Sequence, residues 1–200
     1  MRTEDGKIGA VVAAAGLSSR MGDFKPLLRF GDATVIERCV ANLREAGASE
    51  IVVVTGHRAE DVEKQLAHSG VRTVRNPDSA HTQMFDSLLL GLRALPEDCG
   101  VILLTPGDVP LVRPETIRAL LRAEGGFVCP VCAGKRGHPV ALDGAWRHAL
   151  LGFGGGDGLR GAVRALGIPV TEVEVGDAGM LLDLDTPADY ERLLRMLEEK

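Results

Sequence analysis

The stretch from Ile8 to Leu28, IGAVVAAAGLSSRMGDFKPLL, decides how the rest of the chain is read. Its first half is a continuous apolar run, as expected of a strand buried on both faces of a parallel sheet. Its second half crowds Gly16, Gly22, Ser18, Ser19, Arg20 and Lys25 into the residues that follow. A strand that ends in small residues and opens into a loop presents backbone N–H groups at the carboxyl edge of a sheet, where open α/β folds bind ligands. Ala14, Ala15 and Gly16 let a phosphate approach the main chain, Ser18 and Ser19 add hydroxyl donors, and Arg20 and Lys25 add charge for phosphoryl oxygens. The loop suits a triphosphate.

Spacing excludes two other phosphate loops. A Walker A loop needs G-x-x-x-x-G-K-[ST]; here Gly16 and Gly22 are one position too far apart, Lys25 stands three after Gly22, and Pro26 replaces the hydroxyl. That spacing also argues against a kinase-like phosphotransferase. A dinucleotide fingerprint needs G-x-G-x-x-G, which Gly16-Leu17-Ser18 does not supply.

Working outward, further strand-length apolar runs occur at 50–55, 71–74 and 101–105. Helical patterns separate them: TVIERCVANLREAGA places Val35, Ile36, Cys39, Val40 and Leu43 on one face before Gly47, and AEDVEKQLAHSG, SLLLGLRAL and PETIRALLRAE follow suit. This rhythm predicts βαβ units with right-handed crossovers, an α/β chain of three layers with a mostly parallel central sheet. After Gly125 the rhythm loosens into GFVCPV, HPVAL, a glycine-rich tract, IPVTEVEV and a last helix PADYERLLRMLEE. Residues 1–125 are therefore expected to form the nucleotide-binding part of a single domain, and 126–200 an acceptor-binding part with the C-terminal helix.

Two hundred residues, 45% hydrophobic and 26% charged, suffice for one domain with a substantial core. The net charge of −5 disfavours a nucleic-acid partner, while a local basic loop still serves a small anion. No apolar run reaches the roughly 18 residues of a membrane span, and the polar start MRTEDGK lacks the basic and apolar pattern of a signal peptide, so a soluble cytoplasmic protein is expected. Cys129 and Cys132 form a CPVC pair, but no second closely spaced Cys/His pair completes a structural zinc set.

AAAGLSSRMGDFKPLL resembles the signature loop of the MobA-like nucleotidyltransferases, within the larger group acting on sugar phosphates and methylerythritol phosphate. PGDVPLV at 106–112, KRGHPVAL at 135–142, GGDGLRGAV at 155–163 and LLDLDTPADYERL at 181–193 fall in that family's order. Asp108, just past the strand at 101–105, is suited to Mg²⁺ as a hard carboxylate. The resemblance implies Asp183 as its metal partner, with Asp185 the alternative, otherwise turned to the acceptor. It also implies base and ribose contacts from Asn76, Gln83 and Ser87, and acceptor binding by His138, with Arg136 and Arg160 as cations. Asp157 and Asp189 are read as helix caps, Asp86 and Ser87 equally as caps or contacts, and His57 as a turn residue. The double alanine before Gly16 resembles the cytidylyltransferase members. The resemblance thus implies CMP transfer from CTP to a small phosphomonoester, molybdopterin or its molybdenum cofactor, with a molybdoenzyme or chaperone as partner. A sugar, polyol or lactate phosphate is the rival acceptor, and a non-catalytic nucleotide-binding module in molybdoenzyme maturation the rival of another class.

Overall fold

A computed structural model describes residues 6–18 and 21–198. Ser19 and Arg20 lie outside the described residues. Strand β1 (Lys7–Ala14) is an interior strand of an eight-stranded sheet. It pairs in parallel with β4 (Glu50–Thr55) on one side and β6 (Cys99–Pro106) on the other. Outside β4 lies β5 (Arg72–Arg75), again parallel. On the other flank β9 (Val140–Asp143) runs antiparallel between β6 and β7 (Phe127–Cys132), and β10 (Val170–Glu174) closes the edge parallel to β7. Along this path only β9 is reversed, so the expected mostly parallel sheet is observed.

Alternate residues of the central strands feed two cores, as strand geometry requires. Ala10 and Val12 of β1, with Val53 and Leu103, meet helices α1 (Val35–Glu45), α2 (Ala59–Leu66) and α4 (Pro114–Arg122). Val11, with Val52, Val54, Ile102 and Leu104, meets α3 (Met84–Ala94) on the opposite face, joined there by α5 (Arg147–Leu151) and α6 (Gly158–Ala165). Three layers result. α3 approaches the sheet so closely that a Cβ on Gly91 would lie 2.2 Å from Val11 Cγ1, which is why the helix tolerates a residue of poor helix propensity there.

Local signals explain the helix ends. Thr34 and Glu37 form a reciprocal capping box at the start of α1, and Gly47, at φ +113°, takes the left-handed turn that ends it. At the other end of the chain Thr186 and Asp189 cap α7 (Pro187–Glu198) in the same way. Asp157 departs from its expectation: it makes no capping side-chain bond to α6 and instead pairs with Arg164 at 3.2 Å. Two features had no strong pattern to announce them. The hairpin of β2 (Arg29–Phe30) and β3 (Ala33–Thr34) is two residues a side, and with Met21, Leu111, Leu184 and α7 it makes a third small core. The short helix α5 carries Arg147, 2% exposed, which donates to the carbonyls of Leu92 in the last turn of α3 and of Leu95 and Pro96 just past it.

Candidate active site

Register sets the site. Ala14 of β1 stands opposite Thr55 of β4, and Ala13 opposite Pro106 of β6, so the three strands end at one level. The loops that leave them form the walls of a cleft lined by Ala14, Ala15, Gly16, Ser18 and Lys25 from the first loop and by Gly107 and Asp108 from the third. Gln83, Met84 and Ser87 form the wall opposite. Gly107 donates to the carbonyl of Ala13, and a Cβ there would press to 3.1 Å from that of Ala14; the absence of a side chain lets the turn bearing Asp108 lie this close to β1 without displacing its neighbours. At Gly16 a Cβ would meet nothing within 4 Å, so the loop leaves open space where its backbone faces the cleft.

Lys25 opens a one-turn 3-10 helix, residues 25–27, next to the loop. Its backbone N–H donates to Ser18 Oγ at 3.2 Å, so that hydroxyl fixes the loop as well as lining the cleft. Phe24 beside it receives the His57 ring edge-on at 5.5 Å and the Arg58 guanidinium at 5.2 Å; His57 thus packs the turn. The Lys25 side chain, 13% exposed, reaches across to two carboxylates. Nζ donates to Asp185 Oδ1 at 2.6 Å and to Asp108 Oδ2 at 3.3 Å.

Asp108 and Asp185 are neighbours because the backbone N–H of Leu184 donates to the Asp108 carbonyl at 3.0 Å while the Leu184 side chain is buried in the third core. That anchor sets Asp183 and Asp185 on either side of Leu184. Burial holds the Asp108 carboxyl above the usual carboxylate range, and the charges of Asp183 and Asp185 add to this against the opposing pull of Lys25. Asp183 is raised likewise, by desolvation and then by Asp185. Below them Cys39 is buried, and burial with the nearby Asp108 charge pushes its thiol up to about 12, so it stays neutral and unreactive.

Among the described residues no three His, Cys, Asp or Glu side chains are gathered as a ready metal cage. Hard carboxylates in a strained cluster nevertheless fit a magnesium-like ion, which takes one or two protein carboxylates and completes its shell with water and substrate phosphate.

The remaining expected residues separate into two groups. Asn76 is 3% exposed; its amide donates to Thr82 Oγ1 and Ser87 Oγ, and its own carbonyl oxygen accepts from the N–H of Asp78. It therefore braces the loop before α3 from behind. Because α3 starts at Met84, Ser87 lies inside the helix with only 3% exposure, while Asp86 accepts from the Gln83 N–H as the cap. A second groove, sharing Met84 with the cleft, holds the acceptor-side group. It is lined by Arg136, His138 and Arg160 above apolar side chains that include Phe127 and Val170. Burial lowers the basicity of His138, whose Nδ1 has no hydrogen-bond partner among the described residues. Arg136 is tied to Glu172, at 2.6 Å from Nε. Cys129 and Cys132 lie three apart on β7, which turns them to opposite faces of the strand.

A parallel sheet whose carboxyl edge joins a small-residue loop, a lysine and clustered carboxylates defines an α/β enzyme that handles nucleotides. The chain belongs to the MobA-like NTP transferase domain family, which matches residues 10–172, and it is a nucleotidyltransferase. Asp183 and Asp185 lie beyond the matched segment. The molybdenum cofactor cytidylyltransferase of Escherichia coli K12 is 30% identical over 187 residues, 92% of this chain and 93% of that protein. The bifunctional IPC transferase and DIPP synthase of Rubrobacter xylanophilus is 42% identical over 130 residues, 62% of this chain; the match spans only 29% of that longer protein. Among solved structures, a nucleotidyl transferase from Methanothermobacter superposes with a TM-score of 0.84 at 32% identity, covering 96% of this chain and 98% of that one. Rv0371c of Mycobacterium tuberculosis H37Rv, in complex with manganese, gives 0.78 at 30% identity over 94% and 98%. No helix among the described residues is long and apolar enough to cross a membrane.

Proposed function

We propose that the protein transfers CMP from CTP to a small phosphomonoester, a molybdopterin-type cofactor, and releases pyrophosphate. The observation that carries this reading is the meeting of Lys25, Asp108 and the 183–185 segment under the open loop at Ala15 and Gly16. In the transfer, an acceptor phosphate oxygen forms a bond to the α-phosphorus of the nucleotide as the bond from that phosphorus to the bridging β-oxygen breaks, the electron pair leaving with pyrophosphate. Backbone N–H groups of the loop and the Lys25 ammonium bind the β- and γ-phosphates and stabilise the charge that develops on the leaving group. Arg20, outside the described residues, is assigned the same duty from its place in the sequence. Mg²⁺ on Asp108 and Asp183 would draw the phosphate oxygens together and offset their charge.

Ser87 and Gln83 border the end of the cleft assigned to the base and ribose, with Asn76 behind them as support. His138, Arg136 and Arg160 serve the acceptor in the adjoining groove. The near-complete overlap with the E. coli cytidylyltransferase supports CTP and a molybdenum-cofactor acceptor. An acceptor other than a molybdenum cofactor is the second reading, favoured by the higher identity to the IPC transferase.

The test supplies each of the four nucleoside triphosphates with Mg²⁺ and a panel of phosphomonoesters that includes molybdopterin, and measures pyrophosphate. Fastest release with CTP and molybdopterin is expected. Faster release with a sugar or polyol phosphate would transfer the assignment to the second reading, and none with any pair would end both.

A further inference from the structure

Lys25 is the residue whose contacts within the protein differ most from the duty assigned to it. Its ammonium sits between Asp185, at 2.6 Å, and Asp108, at 3.3 Å. The contact with Asp185 is the shorter of the two, well inside charge-assisted hydrogen-bond range. Both ends of this bridge are fixed at the backbone. Lys25 N–H is tied to Ser18 Oγ, and the segment bearing Asp185 is held on one side by the Leu184 to Asp108 bond and on the other by the cap of α7. The movable part is the lysine stem, with its four carbons. A divalent cation drawn to Asp108 would meet the ammonium at close range, and two like charges in a half-desolvated cluster repel strongly. Cation and ammonium are therefore alternatives on Asp108 until something else takes the ammonium, and a triphosphate in the cleft is such a group.

We infer that Asp185 is a positioning residue: it holds the Lys25 ammonium over Asp108 in the nucleotide-free enzyme, so that the divalent cation enters with the triphosphate and the triphosphate takes Lys25 over. The inference rests on the reading of Lys25 and Asp108 given above. It separates the two neighbouring carboxylates, because Asp183 makes no hydrogen bond to Lys25 among the described residues. Coupling between two ligands is reciprocal, so the same contact governs both the affinity for metal without nucleotide and the affinity for nucleotide without metal.

Two titrations on the whole chain test it, neither of them an activity assay. In EDTA, CTP binding is measured by calorimetry for the native protein, Asp185→Asn and Asp183→Asn. Both variants remove one negative charge near the phosphate site, but only the first weakens the shorter of the two contacts that hold the Lys25 ammonium, leaving the one to Asp108. Asp185→Asn should bind metal-free CTP about fivefold more tightly than Asp183→Asn; equal affinities in the two variants would overturn the inference. Without nucleotide, Mn²⁺ binding is followed by electron paramagnetic resonance in about 0.3 M KCl, which screens distant charges. Lys25→Met should bind Mn²⁺ about tenfold more tightly than the native protein, and unchanged affinity would show that the ammonium does not compete. Failure of the native protein to bind Mn²⁺ and CTP together would instead remove the functional reading beneath the inference.

Discussion

On the proposed reading, Asp108 carries more of the chemistry than any other described side chain. It ends the turn after β6, touches Lys25, and is held above its ordinary range by burial and by two further aspartates. Replacing it with asparagine keeps the shape and removes the charge, so pyrophosphate release should fall about a hundredfold or more. Unchanged turnover would contradict its assignment to the metal. The same change relieves a desolvated carboxylate in the ligand-free protein, so its Tm at neutral pH should rise by about 2 °C; a lower Tm would mean that the lysine contact outweighs the cost of burial. Much of this was legible in the sequence. The loop from Ala14 to Lys25 and the Pro-Gly-Asp after the strand each point to the carboxyl edge by their position alone. The partner of Lys25 was not legible, because residues 183 and 185 are equivalent on any extended segment and only the fixed place of Leu184 tells them apart.

Elements show the same division between strong and weak signals. The parallel strands and their covering helices stand out because burial on both faces demands unbroken apolar runs; EIVVVT is observed at the predicted bounds. The start of α3 was misplaced because the helix begins with Met84 and Phe85, ahead of the serine that was read as its opening. A five-residue helix such as α5 has too few positions to display a period, and its role lies in one residue. Arg147 satisfies three carbonyls at the end of α3 with a buried cation, which also favours the helix dipole. Arg147→Met takes the side-chain donor from all three carbonyls, of which that of Pro96 keeps the Cys99 N–H, and should lower stability by about 3 kcal/mol in urea denaturation. At the other face Thr34→Ala removes one half of the capping box of α1. A loss of about 1 kcal/mol is expected, with kcat unaltered because the cap does not touch the cleft.

The whole molecule carries these local strains into its response to pH. Asp108 and Asp183 have carboxyl groups raised above the 3.8 of a free aspartate. Between that value and their raised ones the native state binds more protons than the unfolded state, so stability contributed below the window is lost as pH rises through it. His138 acts the other way: its lowered basicity means the unfolded chain takes up protons first below 6.5, and stability grows as pH rises toward that value. Glu37, Glu63, Glu115 and Asp189, whose carboxyls are held low, act oppositely to Asp108, so the test reads differences: across the acidic range the urea midpoint of Asp108→Asn should gain on the native protein as pH rises, and that of His138→Asn should lose ground toward 6.5. Identical profiles for the native protein and both variants would disprove this assignment.

The backbone bond from Leu184 to Asp108 has a consequence for how the protein comes into being. Lys25 and Asp185 are 160 positions apart in the chain, and the segment that joins them at the site is held by a helix ending at Glu198. During synthesis, β1 and its loop leave the ribosome long before the carboxylates that complete them. The half-made enzyme therefore carries a nucleotide loop whose lysine has no Asp185 to hold it. On the proposed reading, a nascent chain stalled before α7 should release no pyrophosphate even when its sheet has already formed.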